Sequence, residues 1–96
     1  MPDDHLAIGI AALDEALASA PKRNGDAFSK AVRSLSAFRD EIIATEGRTT
    51  EKSRRRLVRI NAVLSLVMAG HFPLGAPPWD EIRKTRGWLA EMLETA

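Results

Sequence analysis

A short stretch of the chain concentrates basic side chains at helical spacing. Positions 52, 55, 56 and 59 fall on one side of a helix, because residues three and four apart are neighbours on its surface. Guanidinium groups bind carboxylate and phosphate oxygens, often through two parallel hydrogen bonds. The stretch therefore predicts an anion-binding row, with a fifth member at the foot of the same helix: Arg48, Lys52, Arg55, Arg56 and Arg59.

The charge of this basic row is open to three interpretations. Residues 47–59 hold six basic side chains and one acidic side chain, whereas the whole chain has a net charge of +1. The row can be a solvated helix face, it can bind an acidic protein partner, or it can bind nucleic acid through phosphate oxygens. The row contains no aromatic residue that could stack on a base, which argues against nucleic acid. Acidic residues expected at the same end also reduce the positive potential: Asp40, Glu41, Glu46 and Glu51.

Aromatic and apolar residues downstream of the basic row form a second candidate surface. Trp79 and Trp88 are nine positions apart, which turns a helix by about 180°, so both cannot lie at the centre of one apolar stripe. We expect one of them at the edge of the core, where it either closes the bundle or anchors a partner, a role in which tryptophan is favoured. The candidate partner surface consists of Phe72, Leu74, Trp79 and Trp88.

The chain offers little for catalysis or for metal binding. It has no cysteine, and its two histidines, His5 and His71, belong to no Glu-x-x-His or His-x-x-x-His pair, so the common zinc and di-iron ligand sets are missing. The sequence also lacks the Gly-x-Ser-x-Gly and Gly-x-x-x-x-Gly-Lys motifs of hydrolases and nucleotide-binding loops. We therefore expect no enzyme activity, no metal and no cofactor.

Asn61 is a polar residue within an apolar stretch of the same helix as the basic row. A buried side-chain amide needs hydrogen-bond partners, so Asn61 should either form a structural hydrogen bond that fixes the helix register or belong to a polar ligand site. If Asn61 belongs to a polar ligand site and His71 lies near the same pocket, the protein would be a small-ligand carrier or an enzyme.

Apolar residues recur at helical spacing in four segments, with no strand-like alternation between them. Capping residues and helix-ending residues then predict the boundaries. The first helix should start after Asp3 or Asp4 and end at Pro21, and the second should start at Asn24 or Asp26 and end at Glu46. The third should be capped by Thr49 or Thr50 and stop at Gly70. The fourth should start at Pro78, with Pro77 as its cap.

These segments predict an all-α fold, a small antiparallel bundle of three to four helices in a single domain of residues 1–96. Short connectors favour antiparallel neighbours. The third helix should be the central member, because its second half, 60–69, is apolar on most sides. Its apolar surface is widened by Val58 and Met68, while Leu93 continues the stripe of the fourth helix and Met92 flanks it.

The chain shows no convincing targeting segment. Its acidic start differs from the basic start of a signal peptide, and the apolar run at 60–69 is far shorter than the roughly 20 residues that span a bilayer. The sequence thus predicts a cytoplasmic protein without a membrane partner.

The expected function is a small non-enzymatic helical protein-interaction or adaptor module that can form a homodimer. This expectation rests on the missing chemistry and on surplus apolar surface in the third and fourth helices. The alternative is a nucleic-acid-binding regulator that uses the basic row.

Overall fold

The computed structural model describes residues 2–20, 22–46, 50–71 and 78–95. These residues form four α-helices, α1 (Pro2–Ala18), α2 (Gly25–Glu46), α3 (Glu51–His71) and α4 (Trp79–Thr95). The prediction of an all-α bundle is confirmed, and the described residues contain no strand.

Side-chain oxygens cap the starts of α2 and α3. Asn24 Oδ1 accepts a hydrogen bond from the backbone N–H of Ala27 at 3.1 Å, and Thr50 Oγ1 accepts one from the backbone N–H of Ser53 at 3.2 Å. Both satisfy a donor that the first turn of a helix leaves without an intrahelical partner. The sequence indicated Thr50 as a cap and Asn24 as a possible start of the second helix.

Three boundaries differ from those expected. Helix α1 begins at Pro2, before the two acids expected to precede it, because a proline loses no hydrogen bond in a first turn. The carbonyl of Pro78 accepts a hydrogen bond from the N–H of Ile82 at 3.0 Å, so Pro78 lies at the cap position and not inside α4. Helix α3 continues through Gly70 to His71, so Gly70 does not stop it. Three other residues expected at helix boundaries lie outside the described residues: Pro21, Thr49 and Pro77.

One hydrophobic core runs between the four helices. Each helix buries the stripe that its apolar spacing indicates, because only one side of an amphipathic helix faces the interior. The largest buried apolar side chains are Leu6, Ile10 and Leu13 from α1, Phe28, Leu35, Phe38 and Ile42 from α2, Leu57, Ile60, Val63, Leu64 and Val67 from α3, and Ile82, Leu89 and Met92 from α4.

By their backbone contacts the helices form a ring in which each one has two neighbours. Among the described residues, α1 contacts α2 and α4, α3 contacts α2 and α4, and the diagonal pairs make no close backbone contact. His5 at the start of α1 lies 3.1 Å from Glu41 near the end of α2. Arg59 in the first half of α3 lies 3.9 Å from Glu91 near the end of α4. These contacts show that α1 runs antiparallel to α2 and that α3 runs antiparallel to α4.

Helix α3 is not the central member that its apolar content predicted. The pair α1 and α2 makes the most extensive contact in the ring, and the pair α3 and α4 makes the least extensive. Small residues let two helix backbones approach closely, and both α1 and α2 present them to the interior. The small buried residues of this pair are Gly9, Ala12, Ala16, Ala27 and Ala31.

Helix α3 is buried on one side only. Met68, in the half that was expected to be buried on most sides, is 46% exposed, and Val58, in the first half, is 68% exposed. On α4 the assignment is also reversed, since Leu93 is 37% exposed and Met92 is 6% exposed. A ring of four helices gives α3 two neighbours, so the side of α3 that faces away from the ring stays in solvent.

Gly9 and Gly87 lead to opposite predictions for the same substitution. A Cβ atom at Gly9 would lie 2.7 Å from Leu35 Cδ2, and Leu35 is fully buried. At exposed Gly87 no atom lies within 4 Å of such a Cβ. We expect Gly9→Ala to lower the free energy of unfolding by about 1–2 kcal/mol, because overpacking outweighs the gain in helix propensity, and Gly87→Ala to raise it by about 0.5–1 kcal/mol.

Denaturant unfolding of the two variants measures both effects. Equal stabilisation by the two substitutions would contradict the close packing of Leu35 on α1.

An ion pair with two parallel hydrogen bonds joins α1 to α4. Arg86 Nε donates to Asp14 Oδ1 at 2.9 Å and Arg86 Nη2 donates to Asp14 Oδ2 at 3.0 Å. The hydrogen bond to Asp14 is the main cause that raises the pKa of Arg86. A raised pKa adds stability below the ordinary pKa of the group, and this stability disappears only as the pH rises through the raised value. For arginine that loss lies in strongly alkaline solution, so Arg86 remains charged at neutral pH.

We expect a coupling free energy of roughly 0.5 kcal/mol between Asp14 and Arg86, because both side chains are partly exposed and solvent screens them. A double-mutant cycle of Asp14→Asn and Arg86→Gln, measured by thermal unfolding, gives this energy. The coupling should shrink in high salt. A coupling of zero at low salt would show that the pair adds nothing to the α1–α4 contact.

Candidate functional site: a basic groove between α3 and α4

The basic residues predicted to form a row lie in the first half of α3. Lys52, Arg55 and Arg59 are exposed, and Arg56 is half-buried. Arg48 lies outside the described residues. Arg54, which the predicted row did not include, is also exposed on this part of α3.

These cations border a groove between α3 and α4, which we call the basic groove. It has a volume of about 480 Å³. It lies at the contact between α3 and α4, the least extensive helix contact in the ring. Its lining residues are Glu51, Lys52, Arg55, Arg56 and Arg59 from α3 and Glu91 and Met92 from α4.

Two carboxylates of the basic groove pair with its cations. Arg55 Nη2 lies 2.7 Å from Glu51 Oε1, one turn earlier on α3, and both side chains are about three-quarters exposed. Arg59 Nη1 lies 3.9 Å from Glu91 Oε2 on α4. Exposed pairs of this kind contribute little to stability, and their partners exchange readily with other ions. Lys52 forms no ion pair with any of the described residues.

The acids of α2 were expected to neutralise the row, and two of them lie elsewhere. Asp40 pairs with Arg39 at 3.3 Å, and Glu41 lies 3.1 Å from His5 on α1. The acids that do lie in the groove come from α3 and α4 instead. The groove therefore holds four cations and two carboxylates, and a positive potential remains.

Aromatic rings lie beneath two of the arginines, which the sequence alone did not indicate. The Arg59 guanidinium is 5.7 Å from the ring centre of half-buried Trp88. The Arg56 guanidinium is 5.7 Å from the ring centre of Phe38, which is fully buried. At this distance the face of each ring attracts the cation. The rings hold both guanidinium groups over the helix contacts.

The floor of the groove is apolar. Met92 lines the groove and is only 6% exposed. Methionine is flexible and polarizable, so it adapts to ligands of different shapes. The arrangement can thus bind a ligand that combines negative charge with an apolar contact.

Only two of the four residues of the predicted partner surface lie in the described part of the chain, and these two are in different surroundings. Phe72 and Leu74 lie outside the described residues. Trp79 is half-buried and packs on Phe28 of α2, with ring centroids 5.9 Å apart and an interplanar angle of 34°. Trp88 lies on the α3 side of α4, under Arg59. The two tryptophans therefore face different neighbours, and both are partly covered by the bundle.

Asn61 is exposed on α3 and borders a groove with α2 that Arg39 and Val58 also line. It is not the buried amide that its apolar neighbours indicated, so it has no role in fixing the helix register. The apolar residues around it in the sequence point to the other side of the helix. His71 is the last residue of α3.

The described residues contain no group of three or more histidine, cysteine, aspartate and glutamate side chains that could hold a metal ion. Within the same part of the chain, none of the helices combines the length and the apolar character required to cross a bilayer.

Comparison with protein-family models, with curated protein sequences and with solved structures finds no match to this chain in any of the three.

Proposed function

We propose that this protein is a non-enzymatic interaction module whose basic groove binds an acidic segment of a protein partner. The observation that supports this function is the composition of the groove, in which four cations surround a buried methionine between two antiparallel helices.

The spacing of the cations suits a helical partner segment. Arg55 and Arg59 are one helical turn apart, so their side chains begin about 6 Å from each other. Acidic residues one turn apart on a partner helix have the same spacing and can pair with both. An apolar residue on the same face of that helix then reaches Met92, in the manner of an amphipathic helix in a groove.

The two carboxylates of the groove favour a protein over nucleic acid. Glu51 and Glu91 lie among the cations and would repel a continuous row of phosphates. A protein segment can instead place a single basic residue against either of them, which also gives specificity. Trp88 is half-buried beneath Arg59, so its face is not open for stacking on a base. Nucleic acid remains the alternative ligand that the experiment below distinguishes.

The test uses Trp88 as a fluorescent reporter in a Trp79→Phe background, which leaves one tryptophan in the chain. The probe is a synthetic amphipathic helical peptide with glutamates one turn apart and leucines on the same face. We expect saturable binding that weakens as salt is added. Arg59→Glu should weaken binding at least about tenfold, since it replaces an attraction by a repulsion.

The matched control is Arg83→Glu, which reverses the charge of another exposed arginine of similar exposure, paired with Asp80 on α4. It lies outside the basic groove and should leave the affinity within about twofold, because a distant surface charge is screened. Circular dichroism checks that both variants fold. Absence of binding, or an equal loss in the two variants, would overturn the proposal. Tighter, steeply salt-dependent binding of a DNA duplex would favour the nucleic-acid alternative.

A further inference from the structure

Three charged residues of the basic groove lie one helical turn apart along α3. Glu51, Arg55 and Arg59 are each four residues from the next, so they follow one another along one side of the helix over about 12 Å. About three-quarters of the Glu51 and Arg55 side chains and half of the Arg59 side chain are exposed. We call these three residues the charge series, and from the start of α3 their order is acid, base, base.

A partner that supplies only acids does not suit the charge series. Arg55 Nη2 lies 2.7 Å from Glu51 Oε1, so an acid placed on Arg55 comes close to the carboxylate of Glu51. A basic residue one turn further along the partner would meet Glu51 and offset this repulsion. The pair of Glu51 with Arg55 then remains intact, because the charges of the two chains alternate around it.

Arg59 is the position in the charge series where a partner acid gains most. Its Nη1 atom lies 3.9 Å from Glu91 Oε2 on α4, which exceeds hydrogen-bond distance. A carboxylate at hydrogen-bond distance from a guanidinium binds it more strongly. A partner acid can therefore compete with Glu91 for Arg59.

We infer that the partner segment is a helix with the charge order acid, acid, base at successive turns, and that it binds antiparallel to α3. This inference rests on the proposed function and specifies the partner of the basic groove. The first acid pairs with Arg59, the second acid with Arg55 and the basic residue with Glu51. Every contact with the charge series then joins opposite charges.

The stability of the partner helix favours this charge order over its reverse. A glutamate four residues before a lysine stabilises a helix more than the opposite order does. Acids near the start of a helix and bases near its end also complement the helix dipole. The basic residue therefore belongs at the C-terminal end of the partner segment. Because Glu51 is the first residue of α3, this end lies over the start of α3, and the two helices are antiparallel.

The first test compares two helical peptides of identical composition, both with leucines on the charged face. The matched peptide carries Glu, Glu and Lys at successive turns and makes three attractive contacts with the charge series. The mismatched peptide carries Glu, Lys and Glu and makes one attractive contact, at Arg59, and two repulsive ones. We expect the matched peptide to bind at least about fivefold more tightly. Trp88 fluorescence in the Trp79→Phe background measures both affinities.

Charge reversal at the first position of the series tests which residue is responsible. In Glu51→Lys each peptide makes two attractive contacts and one repulsive contact, so the preference should fall below about twofold. The matched control is Glu15→Lys, the same change at an exposed position of α1, diagonally across the ring from α3. This control should keep the preference of the wild type. Circular dichroism checks that both variants fold.

The outcomes separate this inference from the proposed function. Equal binding of the two peptides to the wild type would overturn the inference and leave the proposed function standing, because both peptides bring acids to the basic groove. A preference that persists in Glu51→Lys would also overturn the inference. Absence of binding by both peptides would overturn the proposed function together with the inference.

The second test determines the direction of the bound helix. A spin label at the N-terminus of the matched peptide broadens the NMR signals of nearby backbone amides. Antiparallel binding should broaden the amide signals of Asn61 and Ala62 more than those of Glu51 and Lys52. The reverse order of broadening would contradict the antiparallel arrangement.

Discussion

The close packing of α1 on α2 is the constraint on which the rest of the bundle depends. Leu35 of α2 occupies the space that a side chain at position 9 would fill, and small residues on both helices keep the backbones near each other. Helices α3 and α4 then complete the ring, and the contacts of α4 with α1 and with α3 are both less extensive than the contact of α1 with α2. The basic groove is the space that this looser contact leaves above Met92.

The same geometry determines which sides of α3 are covered and which are exposed. Helix α3 buries one apolar stripe against α2 and α4, which leaves its opposite side in solvent. The charged residues of that helix are confined to its first half, and its second half is uncharged. One helix therefore carries the cations of the basic groove at one end and no charged residue along its second half.

Local features of the fold and the antiparallel bundle were predictable from the sequence, but which faces of each helix the ring covers was not. Helical spacing identified the buried stripes, and the caps Asn24 and Thr50 follow from side chains that accept hydrogen bonds from nearby backbone N–H groups. The apolar content of α3 indicated a central helix, because periodicity shows how much surface a helix can bury. It does not show how many neighbours are available to cover that surface, and so the second half of α3 was expected to be buried on most sides, whereas Met68 is exposed.

In the candidate site, too, some features were predictable from the sequence and others were not. The row of Lys52, Arg55, Arg56 and Arg59 was visible as a helical pattern, and the groove does collect all four. The placement of Trp88 beneath Arg59 depends on the antiparallel pairing of α3 with α4. Antiparallel neighbours were expected, but the helical pattern of α3 does not show which residue of α4 lies beneath Arg59. A search for aromatic residues on the far half of the predicted neighbouring helix could have found it.

Chemical-shift mapping by NMR tests the central claim most directly, because it locates a ligand on the surface without a substitution. Uniformly labelled protein is titrated with the acidic amphipathic helical peptide. The account predicts that the largest shifts fall on Lys52, Arg59, Met92 and the indole N–H of Trp88, with little change along α1. Shifts centred on α1 and α2, or no shift in the groove at saturating peptide, would contradict it.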